Sequence, residues 1–191
     1  MIESSRPQTI VFLGLSLDGC IAGEDGDLSW LAQCAGESTA ETGYDDLMRR
    51  ADTLLIGRRT YESVLGFPDW PWSGKRVRVL TRRPMQARFD ETPCSGSIES
   101  VLADLGAAGS RVSYLDGGDV VRQALRAGVV DELTLSWIPV VLGNGTRLFE
   151  SGLPGSNWQL IHTRGFASGM VQATYRRRTG PAGTACAAGA Q

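Results

Sequence analysis

Residues 9–15, Thr-Ile-Val-Phe-Leu-Gly-Leu, form a compact apolar run that stops at a polar, glycine-bearing loop over residues 18–27. Such a run, closed by turn residues, predicts a buried first strand. Tyr44, Leu47, Met48 and Ala51 then fall at i, i+3, i+4 and i+7, the stripe of one helix face. Residues 53–56 are a short apolar run ending at Gly57, residues 60–65 read as helix, and residues 77–80 are again rich in β-formers. Ile98, Val101, Leu102 and Leu105 repeat the helical spacing. A strand over residues 112–115 closes at Asp116-Gly117-Gly118, and Val120, Val121, Ala124 and Leu125 mark the next helix face.

This strand–helix order predicts a largely parallel sheet covered on both faces. After Val130 the period changes: Leu133, Leu135 and Trp137 alternate with Thr134 and Ser136. Trp158, Leu160 and His162, then Val171, Ala173 and Tyr175, complete a C-terminal antiparallel pair. The expected fold is α/β, a mixed and mostly parallel sheet with an antiparallel C-terminal end. Residues 179–191, small, Gly/Ala-rich and aperiodic, are expected to form a disordered tail after one domain over residues 1–178.

The chain has 191 residues, which suits one ample α/β domain. Its formal charge of −2 argues against a dedicated nucleic-acid or anionic-membrane binder. No stretch approaches the roughly 18 apolar residues needed to cross a bilayer. The N-terminus carries Glu3 and Arg6 and no signal-peptide core, so a cytoplasmic enzyme is the expectation. Cys20, Cys34, Cys94 and Cys186 are scattered with no CxxC pair, which argues against a disulfide framework or a metal site. His162 is the one histidine, and in its alternating context it reads as a strand residue rather than a base.

Two places share a logic that points to phosphate. In Leu55-Ile56-Gly57-Arg58-Arg59-Thr60 and in Tyr114-Leu115-Asp116-Gly117-Gly118-Asp119, a strand ends in glycine and opens into a helix. Helix N-termini offer free N–H groups and partial positive charge, and glycine admits close approach of a ligand. Ligands of open α/β sheets collect at the carboxyl ends of the strands, where both glycine turns lie. Either turn alone is equally a tight connection, and neither matches a full dinucleotide fingerprint or a P-loop. Arg58 and Arg59 follow one strand and Thr81-Arg82-Arg83-Pro84 another, a guanidinium and hydroxyl lining of the kind an adenosine 2′-phosphate needs. Arg82 and Arg83 read equally as a solvated loop pair.

The segment Ile56-Gly57-Arg58-Arg59-Thr60-Tyr61-Glu62-Ser63 closely resembles the part of dihydrofolate reductases that meets the adenosine side of NADPH. Leu80-Thr81-Arg82-Arg83-Pro84 resembles their second 2′-phosphate segment, and Asp116-Gly117-Gly118-Asp119-Val120 the glycine pair under the pyrophosphate. Ser16-Leu17-Asp18-Gly19-Cys20-Ile21-Ala22, and Pro139-Val140-Val141-Leu142-Gly143-Asn144-Gly145 with Leu148-Phe149, resemble the reductase domain of bifunctional riboflavin-biosynthesis enzymes. Gly26-Asp27-Leu28-Ser29-Trp30 is similar to a stretch of their single-domain relatives. The resemblance, running from about Thr9 to Arg176, implies a three-layer α/β/α dihydrofolate-reductase-like fold. It also implies NADPH binding, reduction of a C=N or carbonyl group in a pyrimidine- or pterin-like substrate, and a possible homodimer sharing a surface at Leu133, Leu135 and Trp137. No zinc-deaminase motif is present.

Carried over by position, the resemblance implies that Arg58, Arg59, Thr81 and Arg82 meet the 2′-phosphate. Thr60, Gly117, Gly118, Asp119 and Val120 meet the pyrophosphate, and Gly14, Ile21 and Ala22 border the nicotinamide, with Leu80 and Leu115 at the adjoining strand ends. The family's spacing places a proton donor near Glu41, where a carboxylate equally complements a helix N-terminus. Asp45 one turn on and Asp18 in the first loop are the alternatives; Asp18 equally caps turns. Trp30, Trp70 and Trp72, with Leu142 and Gly143, are candidates to hold a flat heterocycle, or to seal their loops onto the body. Competing functions are a 5-amino-6-(5-phosphoribosylamino)uracil reductase-like activity, dihydrofolate reduction itself, and NADPH binding without catalysis.

Overall fold

The computed structural model describes residues 6–34, 36–178 and 180. The tail expected over residues 179–191 lies outside them, apart from Gly180. Eight strands make one sheet, β1 (Gln8–Ser16), β3 (Thr53–Gly57), β4 (Arg76–Leu80), β5 (Thr92–Cys94), β6 (Val112–Asp116), β7 (Glu132–Ile138), β9 (Asn157–Gly165) and β10 (Val171–Arg178). Their order is β5-β4-β3-β6-β1-β7-β10-β9. Every pair from β5 through to β7 is parallel, while β10 runs antiparallel to both β7 and β9. The mixed sheet with an antiparallel C-terminal end is the predicted one.

A second, two-stranded sheet joins β2 (Cys20–Ala22) to β8 (Thr146–Arg147). Neither its strands nor β5 carries enough alternating positions to be legible as a strand in the sequence. Among the described residues the α-helices are α1 (Thr39–Thr42), α2 (Tyr44–Arg50), α3 (Arg58–Val64), α4 (Ile98–Ala107) and α5 (Gly118–Ala127), with short 3-10 turns at Glu24–Gly26 and Ser29–Cys34. The stripe predicted through Ala51 is a helix that stops one residue earlier, and Gly43, left-handed at φ 81°, separates it from α1.

The sheet divides the core in two. On one face Leu47, Ala51, Tyr61, Val64 and Trp72 pack on Ile10, Leu54, Ile56 and Tyr114, so α2 and α3 cover this side. On the other, Val101, Leu102, Leu105, Val120, Val121 and Ala124 of α4 and α5 pack on Val11, Leu15, Leu55, Leu115, Leu133 and Leu135. Leu133 and Leu135 are each 3% exposed within the chain's own core. The expected shared surface at these leucines is therefore corrected: both lie within the chain's own core, in one cluster with residues of α4 and α5. The alternate positions Thr134 and Ser136 are buried too, and the polar face they present is satisfied by Thr134–Thr174 (2.9 Å) and Gln172–Ser136 (2.9 Å) hydrogen bonds. No helix among the described residues is long and apolar enough to cross a membrane.

Candidate active site

Strand connections decide where a crevice opens. The chain leaves β1 and β3 toward the α2/α3 face, and leaves β6, which lies between them, toward the α5 face. Divergence of neighbouring connections at the carboxyl edge of a parallel sheet creates a crevice there. Register adds a step. Ile56 pairs with Asp116 and Gly57 with Leu80, so β3, β4 and β6 end together, while β1 continues through Leu13–Ser16 beside Leu135–Ile138 of β7. Gly14 lies on that wall, and a side chain there would come within 2.9 Å of Leu31.

The two glycine turns meet at the floor. Gly117 has φ 91°, a conformation that favours glycine, and a methyl group on it would collide with the Thr60 hydroxyl and lie 3.4 Å from the Gly57 nitrogen. A methyl group on Gly57 would stand 3.7 Å from Val120, and one on Gly118 would collide with Ile21 of β2 and stand 3.1 Å from Arg122. No side chain caps the first turn of α5, which leaves its leading N–H groups directed into the crevice edge. The third stretch adjoins these two: Thr81 follows Leu80, its N–H donates to the Cys94 carbonyl at 3.0 Å, and Arg58 donates to the Pro84 carbonyl at 3.2 Å. Thr81 Oγ1 closes a turn with Arg83 (3.1 Å both ways). Arg58 also pairs with Glu62 (2.7 Å), whereas Arg59 and Arg82, both exposed, have no side-chain ion pair among the described residues. The sequence-predicted cofactor segments are thus brought to one edge of one sheet.

Behind them the 81–91 segment is anchored by a buried carboxylate. Glu91, 4% exposed, accepts from the Tyr61 hydroxyl (2.5 Å) and from the N–H groups of Arg88 (2.5 Å) and Phe89 (2.9 Å). Burial pushes the Tyr61 hydroxyl up to about 12, with the Glu91 contact adding to it. Trp70 stacks on Phe89 (4.6 Å, 19°) and meets Trp72 and Tyr61 edge-on. Trp70 and Trp72 thereby seal this segment and the 66–74 loop onto α3. Trp30, 6% exposed, packs with Ile138 and Met170 and donates from Nε1 to the Asp27 carbonyl, which places its ring in a core rather than in an open pocket.

The three predicted carboxylates do different things. Glu41 is exposed and makes a capping box with Ser38, whose hydroxyl and N–H hold its carboxyl below the ordinary range. The surroundings of Glu41 favour an ionised cap over a proton donor. Asp18 accepts from the Ser16 hydroxyl (2.7 Å), then from Leu142 N–H (3.1 Å) and Gly143 N–H (3.0 Å), and these bonds lower its carboxyl to about 2. It ties the first loop to the 139–145 loop, so Leu142 and Gly143 serve this tether through their backbone. Asp45 is partly buried on α2 next to Tyr44. His162, on the edge strand β9, is exposed and pairs in register with Thr174.

A fourth carboxyl sits where the sequence reading placed none. Asp116 ends β6 immediately before Gly117, whose N–H donates to it at 2.7 Å. Burial raises its carboxyl to about 6, against the lowering effect of the Gly117 N–H and the Tyr114 hydroxyl. A polar residue terminating the otherwise apolar run at Leu115 was the available signal. Beside it stand Tyr114, whose hydroxyl donates to the Phe12 carbonyl (3.2 Å), and Tyr44, edge-on to both Tyr114 (6.4 Å) and Phe12 (5.8 Å).

An open α/β sheet with a glycine-floored crevice at its switch point, flanked by arginines that have no ion pair among the described residues, offers a geometry suited to a phosphate-bearing ligand. The sequence profile of the RibD C-terminal domain matches residues 73–172, and the chain belongs to that family. It is similar to the uncharacterized protein YwjB of Bacillus subtilis (strain 168), 32% identical over 173 residues that cover 89% of this chain and 98% of that one. The crystal structure of a protein of Shewanella sp. PV-4 named for riboflavin biosynthesis superposes with TM-score 0.82 at 33% identity, covering 90% of this chain and 99% of that one. Dihydrofolate reductase of Enterococcus faecalis, in a complex with NADP(H), shares the fold with TM-score 0.64 at 19% identity over 89% of this chain and 96% of that one.

Proposed function

We propose that this chain is an NADPH-dependent reductase acting on a pyrimidine- or pterin-like heterocycle. The observation that carries the reading is the convergence of Gly57, Gly117 and Gly118 with the uncapped first turn of α5, beside the unpaired Arg59 and Arg82. These residues fit a doubly phosphorylated adenine dinucleotide: close backbone approach and N–H groups for a pyrophosphate, guanidinium groups for a further phosphate. Arg58, Arg59, Thr81 and Arg82 hold the 2′-phosphate, and Thr60, Gly117, Gly118, Asp119 and Val120 the pyrophosphate. Gly14, Ile21 and Ala22 border the nicotinamide.

When bound, NADPH supplies the hydride. The chain's own part is positioning, exclusion of water and a proton. Asp116 is the proton source this reading favours, because burial raises its carboxyl to about 6, so that it stays partly protonated at mildly acid pH, and it lies next to the crevice floor. Protonated, it donates to a ring nitrogen of the heterocycle as that atom gains electron density, and solvent then reprotonates it.

The test is oxidation of NADPH by the full chain with a panel of oxidised and dihydro pterins and aminopyrimidines, followed across pH. Turnover that declines as pH rises above about 6 is expected, with that decline abolished and the rate lowered about 100-fold in Asp116→Asn. A profile unchanged by Asp116→Asn contradicts the proton assignment, and NADPH oxidation with none of the panel contradicts the reductase reading.

A further inference from the structure

We infer that Gln172 and the Thr134–Thr174 hydroxyl pair receive the lactam edge of the heterocycle, an N–H beside a C=O, and set a preference for oxo over diamino rings. The inference rests on the reductase reading above and narrows it.

Sheet register lays the groups out. Val11 pairs with Leu115, so Phe12 and Asp116 come next on their strands, and Phe12 pairs in turn with Thr134, Thr134 with Thr174 and Thr174 with His162. Gly14, Ser136, Gln172 and Arg164 form the neighbouring row. Phe12 meets Tyr44 of α2, and a cavity of about 350 Å3 opens between α2 and the side chains of Thr134, Gln172, Thr174, His162 and Arg164. Asp116 and Thr134 stand two strand spacings apart, about 10 Å. That is the reach of a two-ring heterocycle with a hydrogen bond at each end. The partly exposed Phe12 between them offers its ring to the heterocycle's face.

The floor beyond β1 is polar where a core would be apolar, and its hydrogen-bonding capacity is not used up. Thr134 and Thr174 share one hydrogen bond (2.9 Å) between two hydroxyls, so one hydroxyl hydrogen remains to donate. Gln172 gives an N–H to Ser136 (2.9 Å), while its carbonyl oxygen accepts from no described group. A hydroxyl that donates to a ring carbonyl, beside an amide oxygen that accepts from a ring N–H, is the complement of a lactam.

The charged groups of the cavity act in the same direction. Each of its carboxylates already has a partner: Glu132 makes a double contact with Arg50 (2.9 and 3.3 Å), Asp46 pairs with Arg49, and Glu41 holds the Ser38 hydroxyl and N–H. Arg164, beside Gln172 in its row, donates to the Glu41 carbonyl (2.8 Å), lies over the Phe166 ring and makes no ion pair among the described residues. A protonated diaminopyrimidine edge therefore finds no free carboxylate here and a guanidinium nearby. A ring carbonyl is favoured by that same guanidinium.

The experiment is an equilibrium titration of the NADPH-loaded full chain with a matched pair, 7,8-dihydropterin and its 2,4-diamino counterpart, which differ in the lactam alone. The oxo ring is expected to bind at least about tenfold more tightly. Gln172→Glu keeps the side chain's size and places an unpaired carboxylate in the same row, so the preference is expected to reverse; a residue that served packing alone would weaken both rings alike. The double variant Thr134→Val, Thr174→Val strands neither hydroxyl and is expected to lower the preference at least about threefold, which keeps the test open if Gln172→Glu does not fold. Equal or tighter binding of the diamino ring by the unaltered chain overturns the inference while leaving the reductase reading intact. So does an oxo preference that no folded variant alters, and so does failure of both rings to bind the loaded protein. Failure of NADPH itself to bind overturns the reductase reading instead, and is seen before any heterocycle is added.

Discussion

Gly117 and Thr60, from the turns after β6 and β3, are in such close register that any side chain on Gly117 would drive into the Thr60 hydroxyl. Two turns far apart in sequence therefore share one small volume, and that volume is the floor of the crevice. Gly117 also holds φ 91°, so it answers to backbone geometry and ligand approach together.

Gly117→Ala is expected to lose about 1–2 kcal/mol from the left-handed backbone alone, with more from displacement of Thr60. NADPH affinity is expected to fall at least about tenfold in the same variant. Thermal melts with and without NADPH check both. An alanine variant that melts like the unaltered chain and is stabilised equally by NADPH would show that the two turns are not so tightly set.

Tyr61→Phe removes one donor from the buried Glu91 carboxylate and leaves two backbone N–H groups to hold it. The expected cost is about 1–3 kcal/mol, read as a shift of the urea midpoint at unchanged slope. Because the same carboxylate orders the segment that follows Arg82, NADPH binding should weaken as well. A midpoint shift with unaltered NADPH affinity would confine Tyr61 to stability.

Asp18 is placed as a tether. In Asp18→Ala the Leu142 and Gly143 N–H groups lose their acceptor, so their hydrogen exchange near neutral pH should accelerate while that of β3 and β6 stays unchanged. Unchanged exchange in the 139–145 loop would remove this role.

The raised carboxyl of Asp116 has a consequence for stability that is opposite in sign to that of Asp18 or Asp131, whose folded-state values are lowered. A group raised from 3.8 to about 6 stabilises the fold while protonated. That contribution is complete below the unfolded value and is lost as pH rises through about 6. Asp116→Asn never ionises, so it should gain stability relative to the unaltered chain between about pH 4 and about pH 7, by of the order of 2 kcal/mol. Denaturation curves at the two ends of that window give the answer. A difference that does not change with pH would mean the carboxyl is not held up by burial.

Much of this architecture was legible in the chain. The runs ending at Gly57 and Gly118 announced two strand-to-helix turns, and the shift from helical to alternating spacing after Val130 announced the antiparallel end. What was hidden depends on tertiary placement. β5 and the β2/β8 pair are too short to carry a period. Trp30, Trp70 and Trp72 fall in loops, where large rings suggest a pocket, yet these loops fold back on the body, burying Trp30 and Trp72 and packing the partly exposed Trp70 on Phe89. Glu41 was located by spacing, but a helix-initiating Ser38 three residues earlier makes it a capping partner. Asp116 was read as part of the glycine turn and not as a candidate acid, because the raising of its carboxyl depends on its tertiary surroundings, which no local pattern shows.

The central claim is that three separated turns build one cradle for a 2′-phosphorylated adenine dinucleotide. Its most direct test is the dissociation constant of NADPH beside that of NADH, measured on the unaltered chain and on Arg82→Ala. The account predicts at least about a tenfold preference for NADPH, and loss of most of that preference in Arg82→Ala with NADH binding nearly unchanged. Equal affinity for the two nucleotides, or a preference for NADPH that survives Arg82→Ala and Arg59→Ala together, would contradict it.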